Sequence, residues 1–428
     1  MRTNYTIWMV PPLLLSLAAC GGDVGSAPEQ RMGFVVRDSA GIRIVENHGR
    51  AWPESESWSV GAEPLFILHG SDGGPENRLL DPTSIDVDSR GRIIVGDGNQ
   101  AGWDAVLVYD SLGRFQFQAG RDGQGPGEFG QLWWASSYRG DSLVAFDMRG
   151  DRLSVFSPEG VFARTIRVPA LQVARGAPGT SGYTAGADAA YGDGNFLAYP
   201  RGTLDIESGP GPVWYRHLLL RLSPDGETWD TLGSFEIYQQ YWSGTNQEQL
   251  WFAPIAVTAV GSDELYFGRG DSFEIGRYDS RGRLTRLIRR AHEPRPVTDE
   301  LRGQLHDWYL DLTRSSREVN DQMLEQFTEQ FESGRFAETL PPYSAILLDD
   351  EGYLWVEEFR WILPAERSPT VSATQWSVFR PDGVWLGNVE TPAGFILRKI
   401  TAGRALGFVI DEFDVKEIHV YALDRGSE

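Results

Sequence analysis

The chain has 428 residues, among them 49 Gly, 24 Pro and 15 Trp, with a single Cys and 60 acidic against 39 basic side chains, a net charge of −21. One cysteine forms neither an intramolecular disulfide framework nor a thiolate zinc site, so apolar burial has to build the core, and 41% hydrophobic residues are ample for it. The charge opposes phosphate backbones, and nucleic acid is not expected as a partner.

Arg2 opens the chain with a positive charge, and Ile7 to Leu17 is an apolar stretch interrupted by Pro11 and Pro12, too short to span a bilayer. Residues 1–19 therefore read as a secretory signal peptide. The stretch ends Leu17-Ala18-Ala19-Cys20-Gly21, which resembles the bacterial lipobox. That resemblance implies cleavage before Cys20, a diacylated thiol and an acylated amino terminus. The membrane is then a partner through the lipid, in the cell envelope, and Gly21 in place of Asp favours the outer membrane. Residues 20–32, rich in Gly, Ser, Ala and Pro, are expected to form a lipidated tether.

Residues 33–428 read as one domain built from a repeat. Its first element is an apolar strand, a short polar turn and a second strand, seen at Ser84 to Val95 and again around Gly140, Gly194, Asp263, Gly352 and Asp414. A second element follows the first five copies: Val108-Tyr109-Asp110-Ser111-Leu112-Gly113-Arg114-Phe115, then turns at Ser157, Ser223, Asp279 and Arg380. Asp or Ser before the turn and Gly closing it are what a tight hairpin requires. The sixth copy of this element is missing after Asp414 and recurs at the amino end, in Val35-Val36-Arg37-Asp38-Ser39-Ala40-Gly41-Ile42-Arg43. Six repeats of four short strands predict an all-β, six-bladed β-propeller closed by strands from both chain ends. Pro64 to Gly70 has the phase of an outermost strand as well, and which amino-terminal segment closes the last blade stays open.

Gly120-Arg121-Asp122-Gly123-Gln124-Gly125-Pro126-Gly127-Glu128-Phe129 resembles the blade-connecting signature of bacterial six-bladed β-propeller lipoproteins related to NHL-repeat propellers. The resemblance implies the fold and an envelope location, and brings no catalytic set with it.

In such a blade the turns between strands one and two, and three and four, lie on one face, and the remaining connections on the other. The insertions all fall on the second face: Gly120 to Leu132, Pro169 to Tyr183, Tyr199 to Val213, Phe235 to Trp251, His292 to Pro342 and Glu358 to Thr374. The largest, about 295–338, lies between blades four and five and is expected to be a helical hairpin, with Leu301, Leu305, Trp308 and Leu312 on one apolar stripe and Val319, Met323, Phe327 and Phe331 on another.

No phosphate loop, nucleophile elbow or paired His spacing is present, and Asp86-x-Asp88-x-Arg90 reads as a hairpin turn rather than a calcium loop. No cofactor or metal site is expected, and no catalytic residue is assigned. The candidate ligand-binding residues follow second strands on the long-loop face: Asp97, Asn99, Asp147, Arg149, Arg201, Arg269, Asp271, Glu358, Arg360 and Trp361, with Glu357 beside them. Charges of both signs beside Trp suit a protein, peptide or glycan ligand. The expectation is a lipid-anchored binding module. The alternative is a metal-dependent, lactonase-like hydrolase or lyase with a divalent cation in the central channel. Lys occurs only at Lys399 and Lys416, which reads as a composition bias.

Overall fold

The short turns are closed by their own first residue. In Asp88-Ser89-Arg90-Gly91-Arg92, Asp88 Oδ1 accepts the N–H groups of Arg90 and Arg92 at 3.0 and 2.9 Å, and Oδ2 accepts the Arg92 Nε at 2.6 Å. The same clasp recurs from Asp110 to Arg114 and from Asp279 to Arg283. Part of the arginine content thus has a local structural role: Arg at the fifth position of the turn holds the carboxylate of the first.

The computed structural model describes residues 29–31, 33–53, 57–68, 79–98, 103–168, 185–200, 209–315, 334–361, 373–411 and 415–426, together with some positions between 322 and 332. Their strands form six antiparallel meanders. Blade one runs from Pro82–Val87 to Phe115–Ala119, blade two from Leu132–Tyr138 to Phe162–Arg167, and blade three from Ala185–Ala190 to Trp229–Trp242. Blade four runs from Val257–Val260 to Leu284–Arg290 and blade five from Tyr343–Leu348 to Trp385–Thr391. The first strands of successive blades touch in order around a ring and line a central channel. Apolar clusters fill the spaces between neighbouring blades, as where Trp134, Tyr138 and Phe146 of blade two meet Phe196 and Leu220 of blade three.

Arginine also ties blades together. Arg92 donates to the Pro158 carbonyl (2.6 Å), Arg164 to that of Pro224 (2.8 Å) and Arg404 to that of Ser111 (2.8 Å), each reaching a turn of the next blade.

The ring closes through Ser59–Leu68, which pairs antiparallel with Lys416–Asp424 as the outermost strand of blade six. This settles the open choice between the two amino-terminal segments. The hairpin of Phe34–Ser39 and Ile42–Asn47 instead extends blade four, with Ile42–Asn47 parallel to Leu284–Arg290. Its placement follows from long-range packing. Val45 is fully buried, and Asn47 wedges between blades four and five, its Nδ2 donating to the carbonyls of Arg289 and Gly383 and its Oδ1 accepting the Trp385 N–H. Between the two segments Ala51 and Trp52 donate to Trp385 and Leu386, so the amino-terminal chain straps blade five on its way to blade six.

Blade six also corrects the phase read from sequence. Its first turn is Ala402-Gly403, between Ile396–Thr401 and Arg404–Ile410, and the segment around Asp414 joins its second and third strands. Residues 412–414 themselves lie outside the described residues.

Blade three departs from its neighbours. Gly211–Leu222 and Trp229–Trp242 pair over a much longer register, so Phe235 to Trp242, expected as loop, is strand. Between blades four and five a helix, α1 (Asp299–Ser315), begins the insertion, and the described positions from 322 to 332 are helical. Leu305 is buried, and Tyr309 and Phe331 pack around Trp251 with ring centroids 5.6 and 5.3 Å away. Val319, Met323 and Phe327 and the side chain of Leu312 lie outside the described residues.

Candidate functional site

On the long-loop face, the residues singled out in the sequence are mostly committed to the scaffold. Asp97 ends the second strand of blade one, almost wholly buried, and accepts the N–H groups of Leu80 and Asp81 at 3.0 and 2.7 Å. Burial pushes its carboxyl up to about 6, against the lowering effect of those two hydrogen bonds. Asp147 repeats the arrangement in blade two, accepting the Gln131 N–H at 3.0 Å and pairing with Arg152 at 3.2 Å. Both carboxylates fix the start of the first strand of their own blade.

Arg269 pairs with Glu236 and Asp271 and lies over the Trp214 ring at 5.2 Å; Glu236 also pairs with Arg216. This network borders a groove of about 620 Å³ between blades three and four. Glu358 is held by Arg290 and by the Ser377 hydroxyl, across the junction of blades four and five. Arg360 donates to the Ala373 carbonyl at 3.1 Å, and Trp361 packs edge-on against Phe252 beneath α1. Arg149 is exposed beside Gly130. Asn99 and Arg201 lie outside the described residues, as does Cys20. The structure therefore brings Arg269 and Asp271 together and leaves the remaining described candidates dispersed among separate blades.

A larger cavity, about 1010 Å³, opens at the channel on the short-turn face. Residues from the first strands of all six blades line it, among them Asp86, Ser136, Asp188, Val260, Leu347 and Lys399. A feature invisible to pattern reading shapes this wall. The first strands of five blades carry a β-bulge, leaving Thr83, Trp133, Asp188, Ser344 and Arg398 without a cross-strand partner. A bulge breaks the two-residue alternation and turns consecutive side chains toward one side, so that Arg398 and Lys399 both line the channel cavity.

The acids of this cavity are engaged. Asp86 binds Lys399 at 2.7 Å and accepts the Ser136 hydroxyl at 2.6 Å. Asp141 binds Arg90, Glu264 binds Arg277, Asp349 and Glu351 bind Arg425, and Asp350 accepts the Thr401 hydroxyl. Asp188 is engaged as well. Two guanidiniums differ. Among the described residues the guanidiniums of Arg139, at the mouth, and Arg398, on the wall, make neither a hydrogen bond nor an ion pair. Arg398 is reached by solvent through the channel yet surrounded by protein. Burial lowers its pKa, opposed only by the field of Glu357, whose own carboxyl burial pushes up.

Among the described residues no three His, Cys, Asp or Glu groups converge in a way that could hold a metal ion. Residues 76–181, which contain blades one and two, match the sequence pattern of a family described as a 6-bladed beta-propeller. The chain is a six-bladed β-propeller. No curated protein matches it. Among solved structures the propeller is similar to a protein of Bacteroides vulgatus, at 10% identity over 87% of this chain and 100% of that one, TM-score 0.49. It is also similar to a protein of Bacteroides fragilis named as exported, at 11% identity over 90% and 99%, TM-score 0.46. A gluconolactonase of Xanthomonas campestris aligns at 13% identity over 88% and 100%, TM-score 0.40. Likenesses at this level carry no activity to the propeller.

Proposed function

We propose that this protein is a cell-envelope binding module, held to the membrane through lipid on Cys20, whose ligand site is the channel mouth on the short-turn face. The observation that carries the reading is the cavity of about 1010 Å³ lined by first strands of all six blades. It is concave, it draws on every blade, and it combines charged groups with an apolar wall from Ile85, Val260 and Leu347, the mixture that orients a polar organic ligand. The long-loop face supports the reading less well, because its charged candidates are spent on strand starts and blade junctions.

The test is a thermal-shift screen of sugars, amino acids, short peptides and small organic acids on the full chain, repeated on Ala189→Trp, which sets a bulky ring on the channel wall to obstruct it. Stabilising ligands whose effect disappears in the plugged variant are expected. Ligands that stabilise both proteins equally would remove the site from the channel. For the anchor, Cys20→Ser should move the protein from the detergent-soluble membrane fraction to the aqueous one.

A further inference from the structure

We infer that the channel site recognises an oxyanion, a carboxylate or phosphate group on a small organic ligand, through the unpaired guanidiniums of Arg398 and Arg139. The inference rests on the channel reading above and names the chemistry of its ligand.

The argument comes from charge accounting inside the cavity. In a chain with net charge −21, an unfilled cation is the unexpected feature. Each cavity carboxylate already has a partner, and Lys399 is taken by Asp86. What is left uncommitted is positive: Arg398 and Arg139. Arg398 stands on a bulge between Leu397 and Lys399, a position that breaks strand pairing to present this side chain. Its guanidinium lies 5.6 Å from the centre of the Phe408 ring, and the planar fork stays free of ion pairs. A guanidinium without an ion pair, in partly desolvated surroundings, is the side chain best suited to hold a carboxylate or phosphate through two parallel hydrogen bonds. Glu357 does not neutralise it: its carboxylate accepts the Ser344 hydroxyl at 2.7 Å and acts on Arg398 only through space. Arg139, exposed on the turn that follows the first strand of blade two, lies at the cavity mouth, where an incoming anion passes.

The experiment is calorimetric titration of the full chain with matched pairs: a dicarboxylate against its diamide, and a sugar phosphate against the free sugar. The proteins are wild type, Arg398→Gln, Arg139→Gln and the Ala189→Trp plug. Binding of one charged member of a pair and not its neutral analogue is expected, weakened at least tenfold by R398Q, weakened less by R139Q and abolished by the plug. The pair that binds tells carboxylate from phosphate. Arg398→Gln removes no hydrogen bond or ion pair of the fold, so its melting temperature should stay within a few degrees of wild type and its loss of binding is interpretable. Neutral ligands that bind, are lost in the plug and are indifferent to R398Q would overturn the oxyanion and keep the channel. Binding untouched by the plug would overturn both.

Discussion

The Lys399 ammonium lies 2.7 Å from the Asp86 carboxylate and joins the first strand of blade six to the first strand of blade one. The other lysine makes a parallel connection, since Lys416 in the third strand of blade six pairs with Asp81 just before blade one. Both lysines therefore sit at the seam where the carboxy-terminal blade meets the first. Asp86 and Lys399 support each other's charged forms. Burial would raise the Asp86 pKa, but the Lys399 ammonium and the Ser136 hydroxyl hold it below the ordinary carboxylate range, and the Asp86 field raises that of Lys399.

Lys399→Met should destabilise the ring by about 3 kcal/mol, the scale of a partly buried pair that loses one member. Adding Asp86→Asn to it should recover part of the loss. The sign with pH follows from the depressed Asp86 pKa. Its contribution is fully present above the unfolded carboxylate value of about 3.9 and is lost as pH falls through the lower folded value. Denaturant unfolding should thus show a gap between wild type and K399M that is largest near neutral pH and shrinks as the pH falls into the acid range, from the raised Asp86 pKa of the variant down to the depressed one of wild type. A gap that widens in acid would contradict the pairing.

Asp97 predicts the opposite slope. Its folded pKa of about 6 stands above the ordinary 3.8, so the folded state binds the extra proton between these values, and stability falls as pH rises through that window. Two units correspond to about 3 kcal/mol. Between pH 4 and 7 wild type should lose about that much more stability than Asp97→Asn, measured as the double difference in unfolding free energy. Equal slopes in the two proteins would show that the Asp97 carboxyl is not protonated in the fold.

The turn clasp separates two arginines of identical local role. Arg114 closes its own turn with three quarters of its side chain in water, whereas Arg92 is largely covered and also donates to Pro158 and Asp141 of blade two. An exposed pair contributes under about 1 kcal/mol, while lost hydrogen bonds from a covered charge cost about 1.5–3 kcal/mol. Arg92→Ala should accordingly lower the melting temperature by several degrees and Arg114→Ala by little. Equal effects would mean that the ties between blades carry no stability.

These contrasts also show what could be read from the chain beforehand. The turns were legible because the clasp is local: Asp or Ser, Gly and often Arg occur within five residues, and the backbone conformation follows from them. Blade six was misphased because Ala402-Gly403 turns the chain with two residues of positive φ and no Asp or Ser to mark it. The hairpin at Val35 to Arg43 carries the same turn chemistry as the blades, yet its sheet is chosen by Asn47, whose partners lie 242 and more residues away. The channel charges were hidden for a related reason. Alternation assigns side chains to faces only while pairing is regular, and the bulge at Arg398 interrupts it on the wall of the channel cavity.

Two glycines of one backbone class should respond differently to alanine. Gly41 and Gly282 both have positive φ, 80° and 74°. Nothing lies within 4 Å of a Cβ added at Gly41, so Gly41→Ala carries only the left-handed penalty of about 1–2 kcal/mol. At Gly282 the added Cβ would lie 1.9 Å from the Leu232 carbonyl oxygen, in the outermost strand of blade three. That contact is backbone against backbone and does not relax by a rotamer change. Gly282→Ala should force the turn of blade four away from blade three, destabilise by more than about 3 kcal/mol and open the groove beside Arg269 and Glu236. Unfolding curves of the two variants decide it, and a G282A protein as stable as G41A would refute the close approach of these blades.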